Sequence, residues 1–211
     1  MDRERFARQR DFILEIDKEK GVLRQTHLAG HGRREDDAEH AWHMTVMAYL
    51  LREYANEDVD IARVMIMTLT HDLVEIYAGD TYAYDLAGKA TEHAREEAAA
   101  DKLYGRLPAD QAADLRAIWE EFEANQTPEA RFAHAMDSVQ PMMLNDSNGG
   151  QDWKAHGVHR AGPGGRNEVT RLGSTELADY IDERLDANVA EGNLMPDDAG
   201  HHLAARNYLE K

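Results

Sequence analysis

The spacing of apolar positions along the chain describes a succession of helices. Phe6, Phe12, Ile13 and Ile16 form the apolar side of a first helix ending within residues 18–21. A second starts from a cap at Asp36 or Asp37, with Glu39 or His40 three residues on, and carries the stripe His40, Met44, Met47, Leu51 and Tyr54. An imidazole therefore shares that helix's inward face, whereas His43 lies off the stripe. A third helix, capped by Asp58, spreads Ile61, Val64, Met65, Thr68, Leu69 and Ile76 almost all round, which predicts a central position. Gly79 stops it, and residues 78–88 form a polar loop with Asp80, Thr81, Tyr82, Tyr84 and Asp85.

Residues 89–104 are helical and rich in Ala and Glu. Gly105 ends them, and Pro108 precedes a helix with Leu115, Ile118, Trp119 and Phe122. Thr127-Pro128-Glu129 is a helix start, with Thr as cap and Pro at the first helical position. The helix that follows carries Phe132, Met136, Val139 and Met143, has Asp137 beside that stripe, and includes Pro141, a predicted kink. Ser174 caps a last helix with Leu177, Ile181 and Leu185, closed by Gly192. Two stretches lack periodicity. Residues 22–34 read as a loop and are the most basic part of the chain; glycine-rich residues 147–171 read as a long loop around Trp153. With no alternating β-branched run and no internal repeat, the expected fold is an all-α bundle of about seven to nine helices. Residues 1–194 form one domain, and residues 195–211 a polar tail or short helix.

Composition narrows what such a bundle does. There is no cysteine, so disulfides and zinc–thiolate sites are excluded, and any metal must be held by His, Asp or Glu. A formal net charge of −17 argues against long nucleic acid, which is bound through basic surface. The uncharged run of residues 40–51 is shorter than the roughly 20 residues a spanning helix needs, and the charged start has no signal-peptide pattern, so a soluble cytoplasmic protein is expected.

The chemistry concentrates in Thr68-Leu69-Thr70-His71-Asp72-Leu73-Val74-Glu75-Ile76-Tyr77-Ala78-Gly79-Asp80. On a helix, His71 and Glu75 are four apart and Asp72 and Glu75 three apart, so an imidazole and two carboxylates share one flank. Buried carboxylates cost several kcal/mol unless paired or bound to a cation. A His-Asp pair alone is more often a satisfied core pair than a ligand set. His40 and Asp137, on two other apolar helices, bring the constellation to two imidazoles and two carboxylates, donors that suit a divalent metal with positions left open.

At this point the chain resembles the HD-domain metal-dependent phosphohydrolases, whose pattern is one His, then His-Asp, then a distant Asp. Asp37-Ala38-Glu39-His40-Ala41-Trp42-His43 and residues 71–81 are similar to the signature segments of the small single-domain bacterial members related to the 5′-deoxynucleotidases. The resemblance implies His40, His71, Asp72 and Asp137 as ligands of one divalent ion (Mn, Co, Fe, Ni, Zn or Mg). It also implies Glu75 and Asp80 as catalytic carboxylates, Arg24 as the group orienting the phosphate, and a homodimer. Neither His93 nor His134 has the context of a further ligand. Where characterised deoxynucleotidases have a bulky aromatic after that Arg, this chain has Gln25, and its loop continues Thr81-Tyr82 without prolines. Gln25, Thr81 and Tyr82 are the candidate substrate contacts, and the choice between deoxyribose and ribose stays open.

The expected activity is metal-dependent release of inorganic phosphate from a small phosphorylated substrate, a (deoxy)ribonucleoside 5′-monophosphate. The alternatives are hydrolysis of nucleoside di- or triphosphates or of another phosphoester, and a nonenzymatic nucleotide-binding module.

Overall fold

Side-chain caps set where several helices begin. The structure, a computed structural model, describes residues 1–83 and 86–197. Asp2 accepts the amides of Glu4 and Arg5 at the head of α1 (Arg3–Ile16), which runs into a 3₁₀ turn, Asp17–Gly21. A short antiparallel hairpin, β1 (Leu23–His27) with β2 (Arg34–Asp36), leads to α2 (Asp37–Leu51), where Asp36 and Glu39 form a reciprocal capping box. Asp60, rather than the expected Asp58, caps α3 (Ile61–Thr70), and a 3₁₀ turn, His71–Val74, joins it to the single turn α4 (Glu75–Ala78). Then follow α5 (Leu86–Tyr104), α6 (Ala109–Ala124) and α7 (Pro128–Ser147), the last capped by Thr127 with Pro128 at its first position. α8 (Gln151–His156), α9 (Ala161–Gly173) and α10 (Thr175–Ala190), capped by Ser174, complete the described elements.

Among the described residues nine α-helices are six residues or longer, so the all-α bundle is as expected. No described helix is long and apolar enough to cross a membrane. Tyr84 and Asp85 of the expected loop, and residues 198–211 of the expected tail, lie outside the described residues.

The central helix is α7, not α3. Phe132, Met136 and Val139 are fully buried in a core shared with Met44, Val64, Met67, Ile181 and Leu185. α3 leaves Ile66 and Leu69 exposed. On α7, Met142 rather than Met143 continues the inward stripe. A second core gathers Phe12, Leu73, Val74, Leu103, Tyr104 and Trp119.

Two expected loops are ordered. Residues 22–34 form most of the hairpin, whose strands are too short and too polar to show a period of two. Residues 147–171 fold into α8 and most of α9 despite their glycines, whose helix propensity is about 1 kcal/mol below that of Ala. Packing against α7 overrides propensity there: a Cβ on Gly173 would lie 2.1 Å from the Arg131 carbonyl oxygen, so only glycine permits the approach.

The expected continuous helix through His71 is broken. His71 Nδ1 lies 3.1 Å from the Thr68 carbonyl, and the Thr70 hydroxyl bonds the Ile66 carbonyl. Such side-chain bonds compete with the helical ladder, and the backbone tightens into the 3₁₀ turn. Leu73 and Val74 enter the second core, while His71, Asp72 and Glu75 line a cleft.

Candidate metal centre

The two imidazoles are oriented from behind. His40, fully buried on α2, has Nδ1 3.0 Å from Gln140 Oε1. The Gln140 amide nitrogen donates to Glu35 Oε1 at 2.7 Å and meets His43 Nδ1 at 3.1 Å, which fixes its oxygen towards His40. His40 therefore donates from Nδ1 and turns Nε2, an acceptor, to Asp137 Oδ1 at 3.1 Å. His71 likewise directs Nδ1 to the Thr68 carbonyl and Nε2 to Asp72 Oδ2 at 3.0 Å, and the ring centroids are 5.6 Å apart. A backbone or side-chain acceptor on the far nitrogen is the usual way a ligating imidazole is held.

Each of the two expected ligand carboxylates meets a guanidinium. Arg24, from β1, places Nη1 2.9 Å from Asp72 and 3.3 Å from Asp37. Burial acts to discharge Arg24, but Asp72 and Asp37 hold its pKa above the usual value. Asp72, which burial would raise, is drawn down to about 2 by His71 and Arg24. On α9, Arg166 Nη2 donates to Asp137 Oδ2 at 2.8 Å and to its backbone carbonyl at 3.3 Å. That carbonyl is the one Pro141, four residues on and without an N–H, leaves unpaired. Against burial, the Arg166 charge keeps Asp137 well below the usual carboxylate range.

A second carboxylate group abuts the first. Asp37, Glu75 and Asp80 offer oxygens within 4.8 Å of one another. Burial, then the Asp72 charge, pushes Asp37 up to about 7 and Glu75 well above its ordinary value; burial also raises Asp80. Gly79, at φ +78° and ψ 145°, turns the chain between Glu75 and Asp80, a backbone conformation suited to glycine.

Five carboxylates facing two guanidiniums make a site with unmet demand for positive charge. His40, His71 and Asp72 offer ligand atoms within 4.8 Å of one another, and Asp137 adjoins through His40. His71 Nε2 is buried without a hydrogen bond, as are one oxygen of Asp37 and one of Glu75. Although burial opposes it, the Asp72 charge lifts His71 to about 9, so the field at Nε2 favours a positive charge there. Burial depresses His40 to about 4, keeping it a neutral donor. The set fits a divalent cation.

A cleft of about 410 Å³ opens on this cluster, walled by Arg24, Glu75, Asp80, Asn125, Asp137 and Arg166. A smaller compartment of about 60 Å³ adjoins it, with Arg24, Asp80, Thr81 and Arg166 common to both. Gln25 and Tyr82 line only the smaller one. Thr81 accepts from Arg95 Nη2 at 2.6 Å, so its hydroxyl is already engaged. Exposed His93 lines neither cavity, and His134 is tied to the Phe122 carbonyl at 2.8 Å.

All four expected ligands, both expected catalytic carboxylates and Arg24 thus converge. Sequence reasoning missed Glu35, Gln140 and Arg166, and gave Asp37 a place as a helix cap and in a signature segment but no role in the site. Gln140, at i+3 from Asp137, was open to detection as a polar residue on a buried helix. Arg166 sits in a glycine-rich stretch with no helical signal.

Residues 16–176 match the HD domain family model, and the chain belongs to that family. It is 48% identical, with a TM-score of 0.87, to a crystal structure of a predicted metal-dependent phosphohydrolase from Magnetospirillum magnetotacticum MS-1, the alignment covering 91% of this chain and 96% of that one. It is 32% identical over 110 residues to the 5′-deoxynucleotidase HDDC2 of Bos taurus, covering 52% of each. With the Homo sapiens protein of that name it shares 31% over 112 residues, covering 53% of each. The chain spans about half the length of these two relatives in the alignments.

Proposed function

We propose that this protein is a metal-dependent phosphomonoesterase that releases inorganic phosphate from nucleoside 5′-monophosphates. The carrying observation is the pair of imidazoles, each engaged at Nδ1 and turned by Nε2 towards a carboxylate, beside a buried arginine. The nucleotide part of the substrate is supported by the names of the bovine and human relatives.

His40, His71, Asp72 and Asp137 would hold one divalent ion, of which Mn, Co, Fe, Ni, Zn and Mg are the candidates. Such an ion supplies Lewis acidity towards a phosphoryl oxygen and towards water. Arg24 anchors Nη1 on Asp72 and Asp37, leaving Nη2 to meet a second phosphoryl oxygen as a charged donor. Glu75, protonated in its buried carboxylate surroundings, donates to the departing 5′ oxygen. Asp80, common to both cavities, orients the attacking water.

The test is phosphate release from 5′-deoxyribo- and ribonucleoside mono-, di- and triphosphates by metal-stripped protein with Mn, Co, Mg or Zn restored. Release from monophosphates alone, dependent on metal, is expected. Release mainly from anhydrides, or none from any ester, overturns the assignment.

A further inference from the structure

The turn that carries Asp80 is held from outside both cavities. Asp80 follows Gly79, a residue free to take many backbone paths, and faces Asp37 and Glu75, with oxygens of the three within 4.8 Å of one another. Carboxyl groups crowded this closely repel or must give up water, so Asp80 stays in the cluster only where its backbone is fixed. Its own carboxylate makes no hydrogen bond among the described residues; burial and neighbouring charges are what act on it.

Arg95, on α5, does the fixing. Its Nη1 donates to the carbonyl of Ala78 and its Nη2 to the hydroxyl of Thr81 at 2.6 Å. The two bonds bracket Gly79 and Asp80, one residue to each side. A guanidinium presents its donors as a rigid planar fork, so it sets the spacing of the two acceptors as well as pairing them. Four residues on, Ala99 is buried with Ala100 and Leu103 in the second core, which they share with Leu73 and Val74. Leu73 and Val74 belong to the 3₁₀ turn that bears His71 and Asp72. The fork thereby ties Asp80 to the element carrying two of the expected metal ligands. Arg95 lines neither cavity, so it acts on the turn and not on a bound substrate.

We propose that Arg95 is a positioning residue: by bracketing the turn of Gly79 and Asp80 it keeps the Asp80 carboxylate at the metal cleft. What Asp80 does there, orienting the attacking water, rests on the phosphomonoesterase reading above; the bracket does not. An orienting group counts once the substrate is bound, so its misplacement lowers kcat and leaves KM nearly unchanged.

The experiment is phosphate release from nucleoside 5′-monophosphates by metal-loaded wild type, Arg95→Ala, Arg95→Met, Asp80→Ala and the double variant of Arg95→Ala with Asp80→Ala. Beside it, hydrogen exchange of residues 76–83 is followed by mass spectrometry. Arg95→Met keeps the stem of the side chain and removes the fork. Both Arg95 variants are expected to keep the metal, since the Arg95 bonds go to none of its expected ligands, and to lose about 100-fold in kcat. Their amides at 76–83 should exchange about tenfold faster. Acceleration confined to that segment separates loss of the bracket from loss of the fold. In the Asp80→Ala background, Arg95→Ala should cost nothing further, because no carboxylate is left to position. Unchanged exchange in both Arg95 variants, full activity of Arg95→Met, or an equal loss of kcat with and without Asp80 overturns the proposal. Wild type that releases no phosphate from any nucleotide refutes the hydrolase reading; exchange then decides Arg95 by itself, and faster exchange at 76–83 upholds the bracket.

Discussion

Arg166 occupies the place of a missing backbone amide beneath Asp137. Pro141 cannot donate to the Asp137 carbonyl, and the guanidinium takes that oxygen at 3.3 Å together with the carboxylate at 2.8 Å. Helix α9 thus holds Asp137 of α7 by its backbone carbonyl and its carboxylate together. Arg166→Gln is therefore expected to lower metal affinity about 10- to 100-fold, the usual effect of losing a group that orients a ligand. Metal content after dialysis against a graded chelator measures this. Retention equal to wild type would show that Asp137 needs no such support.

Metal binding should stabilise the fold. At a hundredfold excess over the dissociation constant, the linkage is worth about 2.7 kcal/mol. For a chain of this size that is roughly 5–10 °C in melting temperature. Chelation should lower the melting temperature of wild type by that amount and leave His71→Ala or Asp72→Ala unmoved, since neither retains the ion. A chelator-sensitive His71→Ala would remove His71 from the ligand set.

Glu75→Ala should keep the metal and lose turnover by about 10²- to 10⁴-fold, the range attributed to a positioned general acid or base. Metal analysis and phosphate release on the same sample separate the two effects. Full activity in this variant would reassign the proton transfer.

Arg24 has a structural share as well as a chemical one. Arg24→Ala removes the guanidinium that Asp72 and Asp37 share, so it should destabilise the metal-free protein by about 3 kcal/mol and weaken use of the phosphorylated substrate. Urea midpoints with and without metal check the first effect, and KM the second. An unchanged midpoint would mean the carboxylates are neutral or solvated without their partner.

A pH effect is expected at Glu19, in the 3₁₀ turn after α1. Burial, and secondarily the Asp72 charge, raises its carboxyl from near 4.5 to about 8. Folding keeps the proton on, so the stabilisation is complete below the unfolded value and is lost as pH rises from about 4.5 through about 8. Glu19→Gln should flatten that decline. Urea midpoints of the metal-free proteins at pH 5 and pH 8 decide it; parallel losses in both would place the titration elsewhere.

The one-dimensional pattern determined the elements with strong local signals: the capping box of Asp36 and Glu39, the Thr127-Pro128 start of α7, and the stripe that turned His40 inward. It also marked the candidate donors, because His and carboxylate at apolar positions are costly enough to be noticed without coordinates. Tertiary structure alone decided three other things. It broke the helix at His71, where a ring nitrogen reaches the Thr68 carbonyl. It folded the glycine-rich segment into α9, whose propensity opposes a helix and whose close contact with α7 requires glycine at residue 173. It brought Arg166 to Asp137. Local preferences reach a few residues along the chain, whereas these relationships join residues dozens of positions apart or depend on the packed cavity around them, and only packing creates them.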